Sequence, residues 1–123
     1  MRSREETPIV SPDERTVKGV LQNIEDYRLG FTILETSDQH IEGIVSNADL
    51  RREVLRTVTT GEEIDLENMI NRDPITVRED MTVSAMLSFI KEFEFPINYL
   101  PVVDENRTVK GVVSFLNLVK GEL

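Results

Sequence analysis

Apolar residues recur at helical spacing in two stretches of the chain. Val17, Val20, Leu21 and Ile24 keep the i, i+3, i+4, i+7 relation, and so do Val83, Met86, Leu87 and Ile90. That spacing lays one stripe along one helix face, and packed core is its plainest meaning. Thr16 and Thr82 stand at the start of the two helices. Each stripe is followed by two short apolar runs around polar turn residues, the mark of a hairpin. The first pair is Phe31 to Glu35 and Ile41 to Val45, around Ser37-Asp38-Gln39-His40. The second is Tyr99 to Val103 and Thr108 to Val113, around Asp104-Glu105-Asn106-Arg107. A proline opens a short β-branched stretch ahead of each stripe, at Ile9-Val10 and Ile75-Thr76-Val77. Closing helices are predicted at Asp49 to Thr57 and Leu116 to Lys120. Val58 to Glu63, with Thr59, Thr60 and Gly61, reads as a linker, and Leu66 to Ile70 as a short helix entering the second set.

The two sets superimpose along the chain. Pro8-Ile9 meets Pro74-Ile75, Thr16-Val17 meets Thr82-Val83, and Leu21, Ile24 and Tyr27 meet Leu87, Ile90 and Phe93. After a gap the offset grows by two. Ile41 then meets Val109, Gly43 meets Gly111, Val45-Ser46 meets Val113-Ser114, and Leu50 meets Leu118. The added residues fall near Phe95-Pro96-Ile97-Asn98. The order β-α-β-β-α therefore occurs twice, an internal repeat. Neither copy has enough strands to close a core alone. An α+β fold follows, with repeats 1–62 and 63–123 packed through their sheets about a pseudo-two-fold axis.

Composition narrows the chemistry. The chain has 123 residues, 39% of them hydrophobic and 30% charged, the balance of ordinary globular protein. No apolar run has the length that spans a bilayer, and Met1 to Glu6 lack the apolar core of a signal peptide. Direct membrane insertion is not expected. The absence of cysteine removes thiolate metal sites and cysteine nucleophiles, and suits the cytoplasm. A net charge of −9 argues against nucleic acid as a partner, although Arg51, Arg52 and Arg56 form a local basic patch. His40, the single histidine, lies in a turn with no nucleophile at triad spacing. Glu62, Glu63 and Asp65 offer weak binding to a hard cation, or simply an acidic linker. No glycine-rich phosphate loop and no Cys/His metal set occurs, and a non-enzyme is expected.

The segments Leu100-Pro101-Val102-Val103-Asp104 and Val109-Lys110-Gly111-Val112-Val113-Ser114 resemble the middle of a CBS domain. So does Ile41-Glu42-Gly43-Ile44-Val45-Ser46-Asn47-Ala48-Asp49-Leu50, while Asp73-Pro74-Ile75-Thr76-Val77 resembles a CBS entry. The likeness extends from about Thr7 to Lys120 and implies a tandem CBS pair, or Bateman module. Such pairs imply a regulatory role, adenine-nucleotide or S-adenosylmethionine binding between the repeats, control of an attached effector or partner domain, and homodimers. Leu116, Leu118 and Val119 are candidates for a dimer interface or for core. Asp49-Leu50-Arg51-Arg52 also resembles the CBS tails of sugar-phosphate isomerases.

The resemblance implies a Ser or Thr at the end of the second hairpin strand and an Asp three residues on, which accepts from ribose hydroxyls. A carboxylate suits that task because it accepts and donates nothing. Ser46 and Asp49 fit. Ser114 fits in the second copy, but Asn117 replaces the Asp and brings a competing donor, so that site, with Thr76 and Pro101, is the weaker. Ser46 and Asp49 are equally a helix capping box, and one residue can serve both roles. Thr7, Ile9, Val10, Phe31 and Thr32 are the implied adenine slot, with core burial the alternative for Ile9 and Val10. Arg51 and Arg52 follow Asp49 closely enough for one to meet a phosphate, or else both lie on a solvated helix face. AMP, ADP, ATP and S-adenosylmethionine are the candidate ligands.

Overall fold

The computed structural model describes residues 1–94 and 97–121. Seven strands and four α-helices alternate along them. β1 is Arg2–Ser3, β2 Ile9–Val10, α1 Val17–Tyr27, β3 Phe31–Glu35, β4 Ile41–Ser46 and α2 Asn47–Thr60. β5 is Val77–Arg78, α3 Val83–Ile90, β6 Tyr99–Val103, β7 Val109–Ser114 and α4 Phe115–Val119. The twofold β-α-β-β-α order and the mixed α+β class are therefore present.

Two compact units make up the chain. One is Pro8–Pro74; the other joins Met1–Thr7 to the chain from Ile75 onward. The first contains a sheet ordered β2-β3-β4, the second a sheet ordered β1-β7-β6-β5. In both, a parallel pair (β2 with β3, β5 with β6) adjoins an antiparallel hairpin (β3 with β4, β6 with β7). Both hairpins break register one residue before the first strand ends, at Leu34/Glu35 and at Val102/Val103. Both turns place a residue at positive φ, Gln39 at 66° and Arg107 at 64°. The repeat thus extends to backbone irregularities that hydropathy does not encode.

Local chemistry sets the helix starts. The Thr16 and Thr82 hydroxyls each accept a backbone N–H, from Gly19 and Ala85, both at 3.0 Å. These are N-caps, worth about 1 kcal/mol each. α1 buries Val20 and Ile24 against Val10, Leu34 and Val45; α3 buries Met86 in a cluster with Val77, Leu100, Val113 and Leu118.

Several boundaries differ from expectation. α2 starts at Asn47, two residues earlier, because Ser46 is its N-cap. It also runs through Thr60, so half of the expected linker is helix. The Thr57, Thr59 and Thr60 hydroxyls donate back to the carbonyls of Val54, Leu55 and Arg56, and Gly61 at φ 76° ends the helix. β5 lies at Val77–Arg78, not at Ile75–Val77. Val77 pairs with Val102 where Val10 pairs with Leu34, so Thr76 takes the position of Ile9. The residues that the offset adds near Phe95-Pro96-Ile97-Asn98 lie, at Phe95 and Pro96, outside the described residues. α4 begins at Phe115, one residue before the expected Leu116.

The charged N-terminus carries a strand that the sequence pattern does not announce. Arg2 pairs with Val112 and Ser3 with Gly111, and Arg4 donates to the Val109 carbonyl at 3.1 Å. A Cβ at Gly111 would stand 2.2 Å from the Arg2 carbonyl oxygen, so only glycine admits this crossing. In the other unit Asn71 bridges Ile44, and a Cβ at Gly43 would stand 2.5 Å from the Asn71 oxygen. The outer strand of each hairpin is thus closed by a segment a few residues ahead of Pro8 or Pro74. Among the described residues no helix is long and apolar enough to cross a membrane.

Candidate functional site

β4 ends where α2 begins, and Ser46 is the hinge between them. Its hydroxyl accepts the Asp49 backbone N–H at 3.3 Å. Asp49 Oδ2 in turn accepts from the Ser46 N–H at 3.0 Å and from Ser46 Oγ at 2.8 Å. The capping box is therefore fully formed. The Arg52 guanidinium, one helical turn on, bonds the other oxygen, Oδ1. The Asp49 side chain is 15% exposed and that of Arg52 67%.

Other candidates gather around this corner. Phe31 lies directly across the ladder from Ser46, and Thr32 across from Val45. The Asn47 N–H donates to the Gly30 carbonyl at 2.9 Å, fixing the corner to the start of β3. Thr32 is fully buried, and its hydroxyl donates to Asn23 Oδ1 at 2.6 Å. Asn23, on α1, also reaches the Ile9 carbonyl at 3.3 Å, a link between helix and strand that the sequence did not suggest. Val10 is core, whereas Ile9 is half-buried. Arg51 is exposed and lines an apolar groove of about 520 Å³ along α2 with Leu50, Val54, Leu55 and Val58. A second groove, of about 710 Å³, lies between α1 and α2 and shares Asn47 and Leu50 with the first.

Thr7 belongs to the other unit. It is buried and its hydroxyl donates to the Ser3 carbonyl at 2.6 Å. The second set of candidates is in that unit as well. Ser114 and Asn117 form the same capping box: Asn117 Oδ1 accepts from Ser114 N at 3.1 Å and from Oγ at 2.9 Å, and Ser114 Oγ accepts the Asn117 N–H at 3.0 Å. Pro101 is buried in β6 opposite Val112, and Thr76 is half-buried beside β5.

Charge networks brace the first unit. Glu53, on α2, is nearly fully buried and accepts from Arg56 Nε and Nη2, both at 2.8 Å, and from the Asp65 N–H at 2.7 Å. The Arg56 guanidinium, helped by the Asp65 amide, pushes its carboxyl down to about 2. Arg15 holds Glu42 through two bonds, at 3.1 and 2.7 Å, and also reaches Glu67 at 2.8 Å; Arg72 binds the same two acids. Glu42 and Glu67 are held below the usual carboxylate range, mainly by Arg15. The sequence offered Glu62, Glu63 and Asp65 as a cation cluster. Glu62 instead pairs with Arg56 at 3.0 Å and Asp65 caps the turn at Leu66–Met69, and no metal-binding acidic or histidine group occurs among the described residues.

A family model, the CBS domain, matches residues 64–122. A CBS domain pair/ACT domain protein of Thermotoga maritima superimposes with a TM-score of 0.68 at 25% identity, over 98% of this chain and 94% of that one. The chain is a tandem pair of CBS domains. CBSX2 of Arabidopsis thaliana, in its complex with AMP, gives a TM-score of 0.74 at 20% identity, covering 98% of this CBS pair and 90% of that chain. The arabinose 5-phosphate isomerase KdsD of Francisella tularensis is 28% identical over 124 residues, which take in all of this chain and 36% of that enzyme. The CBS pair spans between 35% and 56% of the length of the curated relatives it matches.

Proposed function

We propose that this CBS pair is a regulatory module that binds an adenosine-containing ligand at the Ser46–Asp49 corner and passes its occupancy to an attached or partner domain. AMP, ADP, ATP and S-adenosylmethionine are the ligand candidates. The observation that carries the reading is the placement of an anionic acceptor, Asp49, in the first turn of α2 just past the end of β4, with Phe31 across the ladder from Ser46. AMP in the related CBSX2 supports the ligand class. Asp49 accepts the ribose hydroxyls in this reading, while Phe31 and the neighbouring strand residues offer the base an apolar wall. Ser114 and Asn117 form the weaker second site, because an amide supplies one acceptor oxygen and no charge. The module regulates rather than catalyses, and is cytoplasmic. An attached effector fits the fraction of the isomerase that the chain covers. Regulation then requires that the ligand bind two states of the whole protein unequally.

Thermal unfolding with and without each ligand tests this. A ligand at about 100 times its dissociation constant adds roughly 2.7 kcal/mol, several degrees in the midpoint for a domain of this size. No shift at millimolar concentration of any of the four would refute the reading.

A second reading rests on another observation. Leu55 is 64% exposed and Val58 77% on α2, and Leu116 and Val119 are similarly exposed on α4. Apolar residues so placed suit a homodimer interface, so the second reading is a dimerisation module that needs no nucleotide. Sedimentation of the wild type against Leu55→Asp separates the two: a dimer lost in the variant, with no ligand response in either, favours the second.

A further inference from the structure

Asp49 is occupied before any ligand arrives. A carboxylate has about four lone-pair positions. Ser46 fills both on Oδ2, through its N–H and its hydroxyl, and Arg52 fills one on Oδ1. One position is left, and it lies on the oxygen that Arg52 holds. A ribose diol that donates both hydroxyls needs two. Full acceptance of the ribose therefore requires Arg52 to move. Ser46 does not yield as easily, because its bonds also cap α2.

Arg52 can move at little cost. Its side chain is largely exposed and its pair with Asp49 spans only one helical turn; pairs of that kind contribute little and are screened by salt. A guanidinium also has a better alternative partner in phosphate, which it meets through two parallel hydrogen bonds. We propose that Arg52 selects the ligand class of this site, competing with the ribose for Asp49 until a ligand phosphate draws it away. This inference rests on the binding role proposed for Asp49. Phosphorylated adenosine ligands are accordingly favoured over neutral adenosine and over the sulfonium-bearing S-adenosylmethionine. The second repeat lacks the device. Asn117 reproduces the cap but carries no charge to hold Lys120, the residue that aligns with Arg52.

Isothermal titration of wild type and Arg52→Gln with AMP and with adenosine, at fixed ionic strength, tests the proposal. The wild type is expected to bind AMP about tenfold more tightly than adenosine. In the variant adenosine gains up to about fivefold, the scale of a lost exposed ion pair, AMP weakens, and the two affinities converge to within about twofold. Binding of both ligands with an unchanged ratio in Arg52→Gln overturns the selector and leaves the Asp49 site standing. A wild type that binds neither overturns the site and the selector together.

Discussion

Asp49→Asn separates the two jobs that Asp49 holds. The protein contains its own control, since Asn117 makes the same three capping bonds in the second repeat, at 2.9 to 3.1 Å. An asparagine at position 49 is therefore expected to keep the cap. The variant loses the charge pair with Arg52, worth about 0–1 kcal/mol at this exposure. It also loses a negative charge at the α2 N-terminus, worth about 0.3–1 kcal/mol and overlapping with the first. About 1 kcal/mol in all lowers the midpoint by roughly 4 °C or less. Asp49→Ala forfeits the cap as well, about another 1 kcal/mol, and should fall by roughly twice as much. Binding responds differently. Hydrogen bonds to a charged acceptor contribute about 1.5–3 kcal/mol, so Asp49→Asn should weaken AMP at least tenfold despite its near-native melt. The assay is a melt and an AMP titration on the three proteins. If Asp49→Asn binds AMP as tightly as the wild type, Asp49 is a cap and nothing more.

Three further outcomes are expected. Gly111→Ala should expel β1, because the Arg2 carbonyl 2.2 Å from the new Cβ is backbone; the cost is about 1–3 kcal/mol, and hydrogen exchange should quicken across Met1–Thr7 while Val102 and Val113 stay protected. Glu53 contributes stability that is fully present above the ordinary carboxylate value near 4.3 and is lost as pH falls toward about 2. Urea midpoints between pH 6 and 2.5 should therefore fall more steeply in the wild type than in Glu53→Gln, and equal slopes would contradict the buried anchor. Leu118→Ala should cost about 2–5 kcal/mol, because Leu118 is fully buried, whereas Leu50→Ala should cost less, its counterpart being only half-buried; chemical unfolding of both variants measures the difference.

Periodic apolar residues and threonine caps made the repeats legible, because α1 and α3 bury one stripe and start at a side chain that accepts a backbone N–H. Strand β1 was not legible. Arg2 and Ser3 are polar, and their partners on β7 lie more than a hundred residues away. The end of α2 was obscured by its threonines, which read as linker until their hydroxyls are seen bonded to helix carbonyls. Nothing in the sequence marks Glu53 as buried; the return of the chain at Asp65 brings a backbone N–H onto its carboxylate. At the candidate site the pairing of Ser46 with Asp49 followed from spacing. The hold of Arg52 on Asp49 did not, because helix spacing permits that pair without requiring it, and Asn23 joined Thr32 only through tertiary packing.

The most direct test of the central claim is an NMR titration of the wild type with AMP, followed through backbone amides. Saturable shifts are expected, centred on Ser46, Asn47 and Asp49, with smaller ones at Ser114 and Asn117. Unchanged amides at Ser46 to Asp49 at millimolar AMP, or saturable shifts confined to Ser114 and Asn117, would contradict it.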